Sequence, residues 1–177
     1  PPSVVGFGVG GVEGPLGPFA DVFGRARAAG LASLPHAGEQ AGPERVREAL
    51  DLLGAERIGH GIDAMKDPAL VERMVDAQIP VDVSPTSNVR TRVVDRIEEH
   101  PLPAMLDAGL LVTLNSDDPT LFGSDLSGEY EIAHDLVGAE GLLRLARNGV
   151  HASYLGAARR HALLAEIDTV AERHGVA

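Results

Sequence analysis

Residues 33–39 read Ser-Leu-Pro-His-Ala-Gly-Glu and complete an apolar run that begins at Gly30. A short aliphatic run bounded by turn residues is typical of a buried strand. Loops at the ends of such strands often hold binding and catalytic groups. Here His36 and Glu39 follow the run directly, three residues apart. The stretch therefore predicts a buried strand that ends in ionisable side chains.

The same pattern occurs twice more along the chain. Residues 57–61, Arg-Ile-Gly-His-Gly, predict a short strand that ends at His60. Residues 110–115 predict an aliphatic strand, which two adjacent carboxylates, Asp117 and Asp118, follow closely. Three strand ends that bear ionisable groups indicate one site, assembled at one face of a sheet or barrel.

Strands alternate with helices over most of the chain. The pattern predicts strands at 4–11, 30–36, 57–60, 80–84 and 110–115, and helices at 19–29, 43–53, 68–75 and 101–108. From residue 126 onward the pattern is helical, with breaks near Gly138, Gly149 and Gly156. This order predicts an α/β fold with a parallel sheet and right-handed crossovers.

Two parallel architectures fit that order, an open doubly wound sheet and a (β/α) barrel. A barrel gathers the carboxyl ends of all its strands at one mouth, so ionisable groups at three strand ends favour it. Only five strands are predicted, whereas a closed barrel has eight. We therefore expect an incomplete (β/α)8 TIM barrel that forms a single domain over residues 1–177.

Composition excludes several classes of function. The 177 residues include 15 Lys and Arg against 26 Asp and Glu, a formal net charge of −11. Such a balance argues against a nucleic-acid partner and against an anionic membrane surface. The chain has no cysteine, which excludes disulfides and thiolate chemistry. No apolar run approaches the length of a membrane span, and we expect a cytoplasmic protein.

The residue types at the strand ends suit metal-assisted hydrolysis. Imidazole nitrogen and carboxylate oxygen are ordinary zinc ligands, so His36 and Asp117 form a plausible part of a metal site. Glu39 lies beside that site in sequence, where it could shuttle protons. His60 could orient or deprotonate a water, and Asp118 could accept a hydrogen bond from a substrate.

Taken singly, each of these motifs also has an ordinary structural interpretation. A histidine at a strand end is commonly a hydrogen-bonding residue, and Asp-Asp-Pro commonly forms a turn and a helix start. The glycines at 8, 10 and 11 lack the spacing of a dinucleotide-binding loop. Residues 84–88 predict a turn rather than a nucleophile. We assign no role to the other histidines, His100, His134, His151, His161 and His174.

Taken together, the motifs are far more specific. The segments at 33–39, 57–61, 84–88 (Ser-Pro-Thr-Ser-Asn) and 114–119 (Leu-Asn-Ser-Asp-Asp-Pro) resemble the adenosine/adenine deaminase family of the amidohydrolase superfamily in order and approximate spacing. The resemblance covers essentially the whole chain. It implies a (β/α)8 barrel of which this chain would form strands four to eight.

The resemblance also implies roles for individual residues. His36 and Asp117 would be ligands of one zinc ion. Glu39 would protonate the purine ring nitrogen next to the carbon under attack, and His60 would position and help activate the attacking water. Asp118 would hydrogen-bond a nitrogen on the imidazole side of the purine.

On the substrate side, the resemblance assigns a role to the glycine-rich end of the first strand. Gly11 would offer its backbone N–H to a nitrogen of the pyrimidine ring, with Glu13 nearby. The partner implied is a small purine, and neither nucleic acid nor membrane is implied.

One departure from the family is plain. The other two metal ligands of the family come from a His-x-His segment on the first strand, and none occurs in these 177 residues. The two further ligands are therefore expected from a missing amino-terminal part. We expect a carboxy-terminal fragment that is inactive alone and prone to associate through unpaired strand edges.

The leading interpretation is zinc-dependent hydrolytic deamination of adenosine to inosine and ammonia in the full-length parent. Adenine or aminodeoxyfutalosine as the substrate is an alternative within the same class, and a related hydrolase acting on another C–N bond is a second. An alternative of a different class is a non-catalytic half-barrel that binds a partner.

Overall fold

The computed structural model describes residues 4–176, which form two compact units. The amino-terminal unit comprises the described residues up to 83 together with 108–110, and the carboxy-terminal unit comprises 84–107 and 111–176. That residues 1–177 act as a single domain stays a prediction.

The amino-terminal unit is built on short parallel strands. They are β1 (Gly6–Phe7), β2 (Ala32–Ser33), β3 (His36–Ala37), β4 (Ile58–His60) and β5 (Pro80–Val83). Strand β1 pairs with β2, and β4 pairs with β3 on one side and with β5 on the other.

Strands β2 and β3 belong to one extended segment, the one that the sequence predicts as a single strand. The His36 N–H donates to the Val9 carbonyl at 2.8 Å, so pairing with the first strand continues beyond β1. On the other side, the Gly59 N–H donates to the Pro35 carbonyl at 3.0 Å. Pro35 has no N–H to donate, which accounts for the interruption between β2 and β3.

Three helices cover this unit: α1 (Ala20–Ala28), α2 (Pro43–Leu52) and α3 (Pro68–Asp76). These helices bury apolar side chains, with Val46, Leu70 and Met74 fully enclosed. The Asp67 side chain accepts the Leu70 N–H and caps α3. A hydrogen bond from the Arg47 side chain holds the pKa of Asp67 below its usual value. The capping bond from Leu70 contributes less to this shift.

The helix predicted over 19–29 begins one residue later, at Ala20. Phe19 ends a 3-10 turn (Gly17–Phe19) before α1 and is 39% exposed. Leu16, just before the turn, is buried instead. The Leu16 N–H donates to the Glu48 carboxylate at 2.7 Å, which fixes the backbone just before the turn.

The described part of the carboxy-terminal unit contains one strand, five α-helices and a 3-10 turn at Ile97–Glu99. They are α4 (Pro85–Arg90), α5 (Leu102–Asp107), β6 (Leu111–Leu114), α6 (Pro119–Phe122), α7 (Leu126–His151) and α8 (Ala157–His174). None of the helices within residues 4–176 is long and apolar enough to cross a membrane.

Two predictions in this unit are corrected. Residues 85–90 form helix α4 rather than a turn, because Pro85 occupies the first helical position, where its missing N–H costs nothing. The expected break at Gly149 does not occur, whereas Gly138 does interrupt α7 with φ 68°. The neighbours of Gly149, Asn148 and Val150, are buried, and the Asn148 amide donates to the Val112 carbonyl, so packing keeps the helix intact.

His100, to which the sequence assigned no role, is buried in this unit. It is 3% exposed, and its Nδ1 accepts the Leu102 N–H at 3.1 Å. The other ring nitrogen, Nε2, therefore bears the proton and donates to Asn88 Oδ1 at 3.1 Å. Burial lowers the pKa of His100 from 6.5 to about 4, so the ring is neutral at physiological pH.

This burial predicts an acid-sensitive fold. In the unfolded chain His100 takes up a proton near pH 6.5, whereas the folded chain resists it until about pH 4. The free energy of unfolding should therefore fall as the pH drops from 6.5 to 4, by about 3 kcal/mol from this group. Urea unfolding of the natural chain and of His100→Gln across this range checks it. Parallel pH curves for the two proteins would contradict it.

Candidate active site

The His36 imidazole lies between the backbones of two neighbouring strand segments. A Cβ added at Gly59 would come within 2.6 Å of His36 Cδ2, and one added at Gly10 within 3.0 Å of Cε1. Real Cβ atoms essentially never approach within 3.0 Å. Glycine on both sides thus makes the room in which the imidazole lies.

Two further predicted site residues lie close to His36 in the amino-terminal unit. The ring centroids of His36 and His60 are 5.1 Å apart, with the rings at 77°. His60 Nε2 lies 3.7 Å from Glu39 Oε2, beyond a direct hydrogen bond but within ion-pair range. His60 and Glu39 are 5% and 9% exposed. The structure brings these three ionisable groups together in surroundings largely shielded from water.

The predicted substrate-binding glycine lies beside the same histidine. Gly11 lines a small cavity of about 80 Å³ together with Gly10, Glu13, His36 and Arg45. Ligand pockets usually measure roughly 300–1,000 Å³. This cavity can therefore receive only part of a purine-sized ligand.

In the carboxy-terminal unit, Asp117 follows β6 and is held by a serine. The Ser87 hydroxyl donates to Asp117 Oδ2 at 2.7 Å, and Ser87 is 1% exposed. Asp117 has φ 55°, a left-handed backbone that non-glycine residues seldom adopt. His60 shares this feature, with φ 63°. Strained backbone of this kind occurs preferentially at functional sites.

Asp118, the second carboxylate of the pair, has a structural role in this unit. Its Oδ1 accepts the Leu121 N–H at 2.9 Å and caps helix α6. The predicted contact between Asp118 and a purine stays a prediction.

Two buried residues of this unit are not predicted from the sequence. The first is Ser87, which was assigned to a turn. The second is Glu129, which is fully buried and whose Oε2 accepts the Thr86 N–H at 3.2 Å at the start of α4. Glu129 lies four residues before the equally buried Ala133. Helical periodicity could therefore have placed Glu129 on the inner face of α7.

The donor types present suit zinc, but they account for only part of a coordination sphere. His36 and Asp117 would supply one nitrogen and one oxygen ligand. Catalytic zinc usually takes three ligands from protein. Among the described residues, no group of three or more His, Cys, Asp or Glu side chains could hold a metal ion.

A larger cavity, of about 460 Å³, lies between α7 and α8. Its walls are mainly aliphatic, with Leu142, Leu163 and Ile167 among them, and none of the predicted site residues lines it. Its ionisable lining residues, Tyr130, Glu166 and His174, belong to helices α7 and α8 and are none of the predicted site residues. The candidate site in the amino-terminal unit is therefore the group formed by His36, Glu39 and His60.

The close approach at His36 predicts a strong effect of a single methyl group. Gly59→Ala should displace the imidazole and lower the free energy of unfolding by roughly 1–3 kcal/mol, as overpacking does. Gly149→Ala is the matched control, because no atom lies within 4 Å of the position that its Cβ would take. Gly149 lies inside helix α7, where alanine is favoured over glycine, so this substitution should raise the free energy of unfolding by up to about 1 kcal/mol. Urea unfolding measures both. Equal effects of the two substitutions would refute the crowding argument.

The bond between Ser87 and Asp117 predicts a second stability difference. Ser87→Ala leaves a carboxylate without its donor, so the free energy of unfolding should fall by about 1–3 kcal/mol. Ser153→Ala removes a bond of the same 2.7 Å length to the neutral Val150 carbonyl and should cost less. Thermal or urea unfolding of both variants checks the order. A larger loss for Ser153→Ala would contradict it.

Comparison with known proteins identifies the family. The sequence profile described as "Adenosine deaminase" matches residues 1–170. An aminodeoxyfutalosine deaminase of Streptomyces avermitilis is 50% identical over 173 residues, which cover 96% of this chain and 48% of that protein. The chain thus spans about half the length of this relative.

Solved structures of related enzymes have the same fold. The adenine deaminase of Arthrobacter aurescens superposes with a TM-score of 0.91 at 39% identity, covering 95% of this chain and 53% of that one. An amidohydrolase of Burkholderia ambifaria, solved with bound zinc, gives a TM-score of 0.83 at 28% identity over 96% of this chain and 50% of that one.

These neighbours are TIM-barrel amidohydrolases, and this chain matches about half the length of each. The predicted fold class, an incomplete (β/α)8 barrel, is thereby confirmed. The family predicted from the four sequence motifs is confirmed as well. The chain belongs to the adenosine deaminase family.

Proposed function

We propose that this chain supplies the acid–base residues and two metal ligands of an enzyme that hydrolytically deaminates a 6-aminopurine. The observation that carries the proposal is the close grouping of His36, His60 and Glu39 at parallel strand ends in a member of this family. Asp117 would be the second metal ligand, and the remaining ligands would come from outside this sequence.

The reaction exchanges an amino group for oxygen. Water adds to the ring carbon that bears the amino group, and ammonia leaves, so that a 6-oxopurine and ammonia form from the aminopurine and water. A bound zinc ion would supply Lewis acidity that makes the water easier to deprotonate. The protein must therefore move one proton away from the water and deliver protons to the purine.

The positions of His60 and Glu39 suit those two tasks. His60 would accept the proton of the attacking water at a ring nitrogen. Glu39 would donate a proton to the ring nitrogen next to the reacting carbon. Their burial excludes bulk water, which strengthens charge interactions within the site. The N–H of Gly11, beside His36 at the cavity, would orient the purine ring.

The relatives bear on the choice of substrate. One is named an aminodeoxyfutalosine deaminase and one structural neighbour an adenine deaminase. We therefore rank free adenine and aminodeoxyfutalosine ahead of adenosine as substrates. Adenosine is the substrate that the sequence alone favours. Adenosine stays in the test panel.

The test is ammonia release from adenine, adenosine and aminodeoxyfutalosine, with bound zinc quantified on the same sample. Both this chain and a version extended upstream to a complete barrel should be measured. Glu39→Gln should lower turnover by about 10² or more while zinc is retained, because a general acid is lost. Glu140→Gln, an exposed position on α7, is the control and should leave turnover unchanged.

Two outcomes would count against the proposal. Unchanged turnover in Glu39→Gln would reject its role as the acid. No ammonia from any substrate with either version would favour the non-catalytic half-barrel.

A further inference from the structure

The loop that bears Glu39 donates four successive backbone N–H groups to carboxylates. The N–H of Glu39 donates to Glu13 Oε1 at 3.2 Å. The N–H groups of Gln40 and Ala41 donate to Glu13 Oε2 at 2.6 and 2.7 Å. The next N–H, that of Gly42, donates to Asp63 at 2.8 Å. A single side chain, Glu13, thus binds three consecutive amides.

The local conformation explains why an anion lies there. The chain turns at Gly38, where φ is 72° and a Cβ would come within 2.4 Å of Val46 Cγ2. A turn of this kind directs successive N–H groups to one side and forms a concavity that favours negative charge. Hydrogen bonds from backbone N–H to an ionised carboxylate are roughly twice as strong as neutral ones.

The far end of the loop is held independently of Glu13. Asp63 is 4% exposed, its own N–H donates to the Gly38 carbonyl at 2.8 Å, and Lys66 Nζ lies 2.5 Å from its Oδ1. Removing Glu13 should therefore loosen residues 39–41 without unfolding the loop from the strand.

We propose that Glu13 is the positioning residue for Glu39. It fixes the backbone of the acid by the three bonds above, and through them the placement of the Glu39 carboxyl 3.7 Å from His60. Glu13 follows Gly11 by two residues, so the same bonds tie the acid loop to the strand end proposed to contact the purine. This assignment rests on the proposed function, because it acts through the role of Glu39 given there.

A purely structural Glu13 would behave differently. It would stabilise the loop, and its loss would cost activity whether or not Glu39 were present. A positioning residue acts only through the group it places. Its loss should therefore cost nothing further once Glu39 has been replaced.

The first measurement needs no activity. In this chain, amide hydrogen exchange at residues 39–41 should become roughly tenfold faster or more in Glu13→Ala, since bonds to a charged acceptor are lost. Exchange at Gly61, whose N–H donates to the Ala37 carbonyl, should not change. Glu72→Gln, at an exposed position on α3, is the matched control. Unchanged exchange at residues 39–41 would overturn the proposal.

The second measurement is a double-mutant cycle in the zinc-loaded, upstream-extended protein. Glu13→Ala should lower kcat by roughly 10–100-fold, as a displaced catalytic group does, with KM changed far less. Glu13→Gln keeps one acceptor oxygen and should recover part of that loss. In the Glu39→Gln background, Glu13→Ala should have no further effect. An equal loss in both backgrounds would overturn the proposal in favour of a structural role.

The two proposals fail in different ways. An active protein in which Glu39→Gln costs nothing would overturn the role of Glu39 and with it the positioning role of Glu13. A protein in which Glu39→Gln is costly but Glu13→Ala is harmless would overturn only the inference about Glu13.

Discussion

The site depends first on a close approach between a side chain and two backbones. The His36 imidazole fits beside β4 because Gly59, its partner in the parallel register, has no Cβ. The same register sets Ala37 opposite His60, so both imidazoles emerge at the same end of the sheet. Larger residues at positions 10 or 59 would force the ring to move, and its relation to His60 would move with it.

A second theme is the use of carboxylates as acceptors for backbone N–H groups. Helices α3, α6 and α7 each begin with an aspartate that caps the first turn. Glu13 and Glu129 do the same for a loop and for the start of α4. The excess of acidic residues thus includes groups that hold the backbone in place.

The sequence predicted those parts of the molecule that local chemistry determines. Aliphatic runs located the strands, and the Asp67-Pro68 pair located the start of α3. The grouping of His36 with His60 followed from the expectation that parallel strand ends meet. Each of these inferences needs only neighbours along the chain or a general rule about parallel sheets.

The parts that escaped prediction depend on partners far apart in sequence. Ser87 and Asp117 are 30 residues apart, and Thr86 and Glu129 are 43 apart. Nothing near Glu129 in sequence shows that its carboxylate is buried against α4. The sequence assigns no role to His100, because its partner Asn88 lies 12 residues away in a segment for which a turn is predicted.

The left-handed backbones of His60 and Asp117 have a consequence for attempts to make the protein more robust. Glycine or asparagine accepts that conformation with less strain, and relieving it is worth on the order of 1 kcal/mol or more at each position. Directed evolution for heat resistance alone would therefore favour His60→Asn and Asp117→Asn, which relieve the strain and keep a polar side chain but remove the imidazole or the carboxylate. Selection of a thermostabilised variant should therefore include an activity screen at every round, because a more stable fold can lack the two side chains proposed to act in the reaction.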